Sequence, residues 1–474
     1  MSPSVPGYFD AAAGLPPHPV AVQALQAALE DGWADPARLT GSGRRSALLL
    51  DAAREAAAAE LGIRPDELSF LPSGAQALQA GVLGSLAGRH RAGRRLVHSA
   101  VEHSVVFKAA DWHLARGGEV RVVGVDGDGR VSVAQFLAAA QQPGTATAVL
   151  QAANHEVGTR QPVAELAGYL SDSAIPLVVD ASHELVYGDP PAGVPIFSAD
   201  ARLWGGPAGV GLLAIRRGTR WQPPFPVDES EAGRGLGVAN VAAIVAAAAS
   251  LRASRQDRRA QADRLHALVE RLRHRVPELL GDAALLGDPA DRLPHLLTFT
   301  VLYVEGAALL TELDRRGYAV SSGSSCTADT LTPSHVLVAM GALSSGSIRV
   351  SLHPGVDTAD VERFLAVLPE AVATVRAQAP TTGPVPTPAG VGPDEPSGVV
   401  GLRLDSRGRR CPLPVLDLAR SLPGIPVGGE LTVLADDPAA ASDIAAWCAM
   451  TGQLLLASTP DGAGATGYQV RRLH

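Results

Sequence analysis

One cysteine stands in a run of small, hydroxyl-bearing residues, Val320-Ser321-Ser322-Gly323-Ser324-Ser325-Cys326-Thr327-Ala328, ahead of Leu331-Thr332-Pro333-Ser334-His335. Small side chains let a backbone segment move and a thiol reach outward. A second cysteine closes Asp405-Ser406-Arg407-Gly408-Arg409-Arg410-Cys411-Pro412-Leu413-Pro414. The arginines before it predict a cationic setting, which favours the nucleophilic thiolate. Two thiols presented in this way point to sulfur chemistry. The third cysteine, Cys448 in Ala446-Trp447-Cys448-Ala449, lies on an apolar helical stretch and reads as core. Of the 40 Lys and Arg residues only Lys108 is lysine. A guanidinium neither deprotonates nor forms a Schiff base readily, so chemistry that needs an amine has one candidate. Lys108 falls five residues beyond His103 on a predicted helix, where a long polar side chain belongs in water.

A chain of 474 residues is too long for one core and predicts two or three domains. The composition, 46% hydrophobic and 19% charged, is that of a globular protein. The formal net charge of −8 argues against a nucleic-acid partner. Met1-Ser2-Pro3-Ser4-Val5-Pro6 has no basic segment followed by an apolar run, so no signal peptide is expected. Apolar runs such as 241–251 are too short to span a membrane. Three well-separated cysteines form no disulfide framework, and no metal site is expected; a reducing cytoplasm fits best.

The elements that must position these residues follow from periodicity. Strands are predicted at the start of 68–75 and at 95–98, 119–125, 147–151, 176–180 and 209–215, with helices at 17–30, 46–61, 76–86, 104–115, 131–141 and 163–171. This alternation predicts a mainly parallel α/β sheet. Ligands of such sheets sit beyond the carboxyl ends of strands, where Ser73, His103, Asn154 and Asp180 fall. Leu68 to Ala75 reads as a strand entering a small-residue turn and a helix N-terminus, the geometry of an anion site. A long helix at 238–275, a strand at 296–301, a helix at 304–316 and a strand at 347–352 predict a smaller α+β domain. Residues 377–398 are dominated by proline and glycine and read as a stiff spacer reaching tens of ångströms at ~3 Å per residue where extended. Strands at 399–405, 430–435 and 467–472 with helices at 412–421 and 442–450 then predict a compact two-layer α/β domain.

Taken together, these stretches resemble the cysteine desulfurase family, the class V branch of the fold-type I enzymes that use pyridoxal phosphate (PLP). The resemblance covers residues 8–372 and is carried by Tyr8-Phe9-Asp10-Ala11-Ala12-Ala13, Val101-Glu102-His103-Ser104, Asn154-His155-Glu156-Val157-Gly158-Thr159, Val178-Val179-Asp180-Ala181, Val320 to Thr327 and Ser347-Ile348-Arg349-Val350-Ser351-Leu352. Residues 400–474 resemble the TusA family of small sulfur carriers, through Cys411-Pro412-Leu413-Pro414 after Leu404-Asp405-Ser406-Arg407-Gly408, and through Ala435-Asp436-Asp437-Pro438 and Asp443-Ile444. The resemblance implies a fold-type I aminotransferase-like three-layer α/β core with a smaller α+β domain, plus a two-layer α/β TusA-like domain. Boundaries are expected at 1–375 for the desulfurase-like part (large domain about 14–247, small domain 1–13 and 248–375), 376–398 for the spacer and 399–474 for the carrier. A homodimer, a small thiol substrate such as cysteine, and a protein that donates or accepts sulfur are implied with it.

The same resemblance assigns site residues. Cys326 is expected to bear a persulfide and Cys411 to receive its sulfur. Asp180 is expected to face the cofactor's ring nitrogen, His103 to stack on the ring, and Arg349 to clamp a substrate carboxylate. Ser73, Gly74, Gln76, His155, His183 and Arg202 occupy further cofactor positions. Several of these depart from the family pattern. Leu203 stands where the Schiff-base lysine belongs, Arg202 where a histidine precedes it, and Asp200 where a serine holds the phosphate. Gln76 and Val238 replace phosphate-binding threonines, His155 replaces an asparagine and His183 a glutamine. Without the lysine the usual Schiff-base route has no amine. Three readings stay open. The chain transfers sulfur from Cys326 to Cys411; or it is a non-catalytic relay or scaffold that docks with a separate active desulfurase; or Arg202, His155, His183 and Arg349 serve another anionic ligand.

Overall fold

The computed structural model describes residues 6–322, 333–378, 387–388, 402–462 and 464–474, and Cys326 lies outside them. The described chain divides into two compact units. The first holds residues 1–271, 287–297 and 351–361, and the second 272–286, 298–350 and 362–474.

The first unit is built on β1 (Leu68–Leu71), β2 (Arg95–Ser99), β3 (Glu119–Val123), β4 (Thr145–Gln151), β5 (Leu177–Asp180), β6 (Ile196–Asp200) and β7 (Gly211–Ile215), in the order β1-β7-β6-β5-β4-β2-β3. The pairings from β6 to β3 are parallel, and β7 runs antiparallel to both β1 and β6. Alternate residues of these strands enter two separate cores. Val179, Phe197, Leu212 and Ala214 pack with Ala57, Leu166, Trp204 and Ala247 on one face. Val178, Ile196, Leu213 and Ile215 pack with Ala77, Val82, Val106 and Ala109 on the other. The period of two along each strand thus buries both faces under helices, which makes three layers.

The strand at Ile196–Asp200 escaped the sequence reading because Pro195 precedes only two large apolar residues before Ser198-Ala199-Asp200. It matters, because it sets Asp200 at the same sheet edge as Asp180. The helix read over 238–275 is two, Val241–Gln256 and Arg258–Leu280, divided at Asp257.

The second unit holds a sheet of β8 (Ala283–Leu286), β9 (Leu296–Val301) and β10 (Ser347–Ser351), in the order β10-β9-β8. A second sheet follows, from β11 (Thr387–Pro388), β12 (Leu402–Asp405), β13 (Glu430–Ala435), β14 (Leu454–Gly462) and β15 (Ala465–Arg471), in the order β11-β12-β13-β15-β14. Strands β12 and β13 are parallel, and β13, β15 and β14 antiparallel. Helices Leu413–Ser421 and Ala440–Thr451 supply Val415, Leu418, Ile444 and Trp447 to a core with Leu404, Leu431, Val433, Tyr468 and Val470. Leu302 and Leu343, from the segment before the spacer, belong to this same core. Cys448 is buried within it, as its apolar surroundings in sequence predict. Among the described residues no helix is long and apolar enough to cross a membrane.

Candidate active site

Neighbouring parallel strands deliver the predicted residues to one edge of the large sheet. Strand β2 leads to Glu102 and His103, β4 to Asn154 and His155, β5 ends at Asp180 ahead of His183, and β6 ends at Asp200. The turns are fixed by side chains that satisfy local backbone donors. His103 caps helix Ser104–Leu114, its Nδ1 accepting the Val105 N–H at 3.3 Å. That bond leaves Nε2 as the protonated nitrogen of the neutral ring. Asn154 Oδ1 accepts the N–H groups of Glu156 and Val157, both at 2.8 Å, while its Nδ2 donates to Val101 O at 3.1 Å. This ties the β4 loop to the β2 loop.

The outcome is a row of imidazoles. The His103 and His155 rings are 5.3 Å apart between centroids, and His155 and His183 are 6.2 Å apart. The two histidines that depart from the family pattern therefore extend the one that does not. Asp180 Oδ1 accepts from the Ser182 N–H at 3.0 Å and the Ser182 hydroxyl at 2.6 Å. Beneath this edge Glu102 is fully buried. Its Oε1 accepts from the Ser99 hydroxyl at 2.5 Å and the Gln151 N–H at 3.1 Å. Burial drives its carboxyl up to about 8, against the pull of those hydrogen bonds, and the neighbouring Asp180 charge adds to the rise. Glu102 is thus a neutral acid at neutral pH. It was quoted in the sequence only as part of a motif, and nothing in its neighbours there reveals its burial.

The helix N-terminus at the other side of this edge carries Ser73, Gly74 and Gln76. Ser73 caps helix Gly74–Gly88, its hydroxyl accepting the Gln76 N–H at 3.1 Å. Gly74 is pressed against β6. A Cβ placed on it would lie 2.5 Å from Asp200 Cβ and 2.9 Å from Asp200 Oδ2. The Asp200 carboxylate in turn accepts from Arg202, through the backbone N–H at 3.0 Å, Nε at 3.1 Å and Nη2 at 3.2 Å. An acid and its own arginine therefore stand at the mouth of this helix, and Leu203 is buried beside them. Lys108 is exposed and lies 3.9 Å from Asp111. Val238 lines a cavity of about 450 Å³ with Arg54, Asp66, Asp228 and Glu231, and none of the other predicted cofactor-position residues shares that lining.

In the second unit Arg349 lies on β10, buried, and its backbone exchanges two hydrogen bonds with Ser321, at 3.1 and 2.6 Å. The Ser347 hydroxyl donates to Ser322 O at 2.8 Å. These contacts fasten the entry to the segment that carries Cys326 onto the small sheet.

The Cys411 thiol is half-buried against the carrier's core. Its surroundings correct the cationic setting expected from sequence. Arg407 is engaged by Asp405, and Arg409 lies 3.1 Å from the buried Asp417. The groups that act on the thiol are Asp443 and Asp437. Burial, followed by the charge of these two carboxylates and hydrogen bonds to them, pushes the thiol far above the usual range. Cys411 is therefore a protonated thiol in this arrangement. Asp443 is itself fully buried and accepts from the Ser344 N–H and hydroxyl, both at 2.8 Å, and from the Ser345 N–H at 3.3 Å. The sequence reading had both acids in view as motif residues and missed their role, since only the parallel pairing of β12 with β13 brings the Cys411 turn beside them.

Residues 7–364 match the aminotransferase class-V family, and residues 402–472 match sulfurtransferase TusA. The chain belongs to the class-V aminotransferase family. It carries a TusA domain after the class-V domain. The IscS-like cysteine desulfurase of Mycobacterium tuberculosis is 35% identical over 384 residues, spanning 78% of this chain and 97% of the relative. The cysteine desulfurase of Cereibacter sphaeroides is 34% identical over 373 residues, spanning 76% of this chain and 94% of the relative. A solved NifS-like protein superposes with a TM-score of 0.72 at 25% identity, covering 78% of this chain and all of that one. The three-layer core of the class-V domain is accordingly the fold-type I aminotransferase arrangement.

Proposed function

We propose that this chain transfers sulfur as cysteine persulfide, with Cys326 of the class-V domain as the first carrier and Cys411 of the TusA domain as the second. The observation that carries this reading is the placement of Cys411. It sits where the TusA domain meets Ser344 and Ser345, in the same compact unit as Ser322 and Pro333, the described residues that flank the Cys326 segment. The relatives' names, cysteine desulfurase and sulfurtransferase, supply the sulfur chemistry that such an arrangement serves.

In the transfer, the sulfur of Cys411 attacks the outer sulfur of the Cys326 persulfide. A new S–S bond forms at Cys411, the S–S bond to Cys326 breaks, and Cys326 leaves as a thiolate. The proton lost by Cys411 ends on Cys326, and no net oxidation occurs. Asp443 and Asp437, already hydrogen-bonded to the thiol, are the acceptors through which that proton leaves.

The source of the sulfur follows from the pocket. PLP, the cofactor of this family, does not fit the residues at its positions. Leu203 offers no amine, and the single lysine of the chain is exposed to solvent on helix Ser104–Leu114. The Asp200 carboxylate, packed against Gly74, stands where the family holds a phosphate, and two anions there would repel in a partly buried setting. A donor that already bears a persulfide, a separate desulfurase or a small persulfide, therefore loads Cys326. A second reading, PLP-dependent desulfuration of cysteine by this chain, is favoured by the retention of His103, Asp180 and Arg349 in their family positions. Homodimerisation is carried over from the family. A reducing, cytoplasmic setting suits free persulfides.

The test is direct. The purified chain is mixed with PLP, with and without cysteine, and its visible spectrum recorded. It is then treated with an isotopically labelled persulfide donor, and the label on Cys326 and Cys411 is followed by mass spectrometry. The proposal expects no internal-aldimine band, and label that reaches Cys411 and is lost from it in Cys326→Ser. An aldimine band with alanine release from cysteine would replace it with the second reading.

A further inference from the structure

The end of the large sheet opposite the imidazole row carries a cavity of about 630 Å³. It opens where β5 and β6 begin and β7 ends, roughly 15 Å from the site edge at ~3.3 Å for each strand residue. Its volume is that of pockets that enclose small-molecule ligands. Ala167, Leu170, Ile175 and Leu177 give it an apolar wall. The charged residues of its lining are Arg89, Arg217 and Arg220, and among the described residues no carboxylate shares it. The chain as a whole has the opposite balance, with 48 Asp and Glu against 40 Lys and Arg.

Arg217 has a partner, Asp66, at 3.0 Å. Arg89 and Arg220 have no side-chain hydrogen bond or ion pair among the described residues, and Arg89 Nε is buried without an acceptor. Arginines near a helix C-terminus often serve its last carbonyls, but neither of these bonds one. A buried N–H left unpaired costs free energy that a bound acceptor would restore.

The fold forces the two arginines together. Trp221 Nε1 donates to Ala80 O at 2.9 Å, and the Gln222 N–H donates to Gly84 O at 3.0 Å. Both acceptors lie on helix Gly74–Gly88, whose C-cap is Arg89. The segment after β7 crosses this helix so closely that a Cβ on Gly88 would lie 2.6 Å from Arg220 O. Burial, and then the charge of Arg220, pull the Arg89 guanidinium below the usual arginine range. Two adjacent guanidiniums without acids suit an anion that bears more than one charge. A lone carboxylate occupies one fork, whereas linked phosphates reach both. The apolar wall suits a ring or chain attached to those phosphates.

We propose that this cavity binds an organic polyphosphate of the nucleoside di- or triphosphate class, its phosphates held by Arg89 and Arg220 and its apolar body set against Leu170, Ile175 and Leu177. The site belongs to the class-V domain, stands apart from the imidazole row, and is independent of the sulfur-transfer reading.

Isothermal titration calorimetry of the full chain tests this with three probes: ATP, inorganic tripolyphosphate and adenosine. It is run without magnesium at physiological ionic strength, where exposed charges more than ~8 Å apart are screened. ATP should bind most tightly, tripolyphosphate more weakly for want of the apolar body, and adenosine least. Arg89→Gln and Arg220→Gln should each weaken ATP at least about tenfold, the worth of a charge-assisted hydrogen bond. Arg91→Gln, exposed and outside the lining, should bind ATP as wild type does. Melting curves without ligand show that each variant is folded, and Arg220, exposed on its turn, keeps the test open should Arg89→Gln fail to fold. Absence of ATP binding, binding that survives Arg220→Gln, equal loss in Arg91→Gln, or adenosine bound as tightly as ATP would each overturn the inference. Tripolyphosphate bound as tightly as ATP would overturn the assignment of the apolar wall.

Discussion

Glu102→Gln isolates the energetics of a buried acid at the sheet edge. Native Glu102 holds its proton up to about pH 8, whereas an unfolded glutamate loses it near 4.5. The unfolded chain therefore binds fewer protons than the native one between these values, and stability falls as pH rises across the window. The contribution of the neutral acid is complete below pH 4.5 and is lost as pH climbs to about 8. Each pH unit of the window costs a little over 1 kcal/mol, so the total approaches about 5 kcal/mol as an upper bound. Glutamine has the shape of the neutral acid and still accepts from Ser99 and Gln151, but has no proton to lose. Urea unfolding of wild type and variant from pH 5 to pH 8.5 measures the difference directly. Four of the five tryptophans, Trp33, Trp112, Trp204 and Trp221, share the compact unit of Glu102 and report its unfolding. Other titrating groups are common to both proteins and cancel. The variant should match wild type near pH 5 and exceed it by several kcal/mol at pH 8. A difference that stays flat with pH, or a variant weaker at pH 8, would mean that Glu102 is ionised in the native state and that the reasoning from burial fails.

Three further outcomes are expected. Leu203→Lys combined with Asp200→Ser should give the chain an internal-aldimine absorption band with PLP that neither wild type nor Asp200→Ser shows, read by spectrophotometry and borohydride trapping. Gly74→Ala should lower stability by about 1–3 kcal/mol, because its Cβ would meet β6 backbone and the Asp200 Cβ rather than a flexible tip, and adding Asp200→Gly should recover part of the loss in the same unfolding assay. Cys448→Ala should cost about 1–2 kcal/mol by shrinking a buried side chain and leave sulfur loading of Cys411 unchanged by mass spectrometry, whereas Cys411→Ser should abolish that loading with little change in stability.

Much of this protein was legible along the chain. Strand–helix alternation announced the α/β sheet, because the apolar period is a local property of consecutive residues. The motif around His103, Asp180 and Arg349 announced the family, and the near-absence of lysine, with Leu203 and Asp200, is what the proposal of an altered cofactor site starts from. The apolar setting of Cys448 announced a core thiol. Other features were out of reach because they depend on which distant segments meet. The strand that ends at Asp200 has too few apolar residues to declare itself, yet its pairing with β5 and β7 puts an acid against Gly74, more than a hundred residues away. The imidazole row exists only because β2, β4 and β5 are neighbours. Glu102 is an ordinary acid in sequence and a neutral one once the sheet closes over it.

The contrast is sharpest at Cys411. The sequence by itself determined that a thiol stands at a carrier motif, surrounded by arginines that promise a thiolate. The tertiary structure decided the opposite charge state, since Arg407 and Arg409 reach acids of their own and the pairing of β12 with β13 brings Asp437 and Asp443 to the sulfur. Electrostatic fields act through space and desolvation acts through burial. Neither is a property of neighbours along the chain.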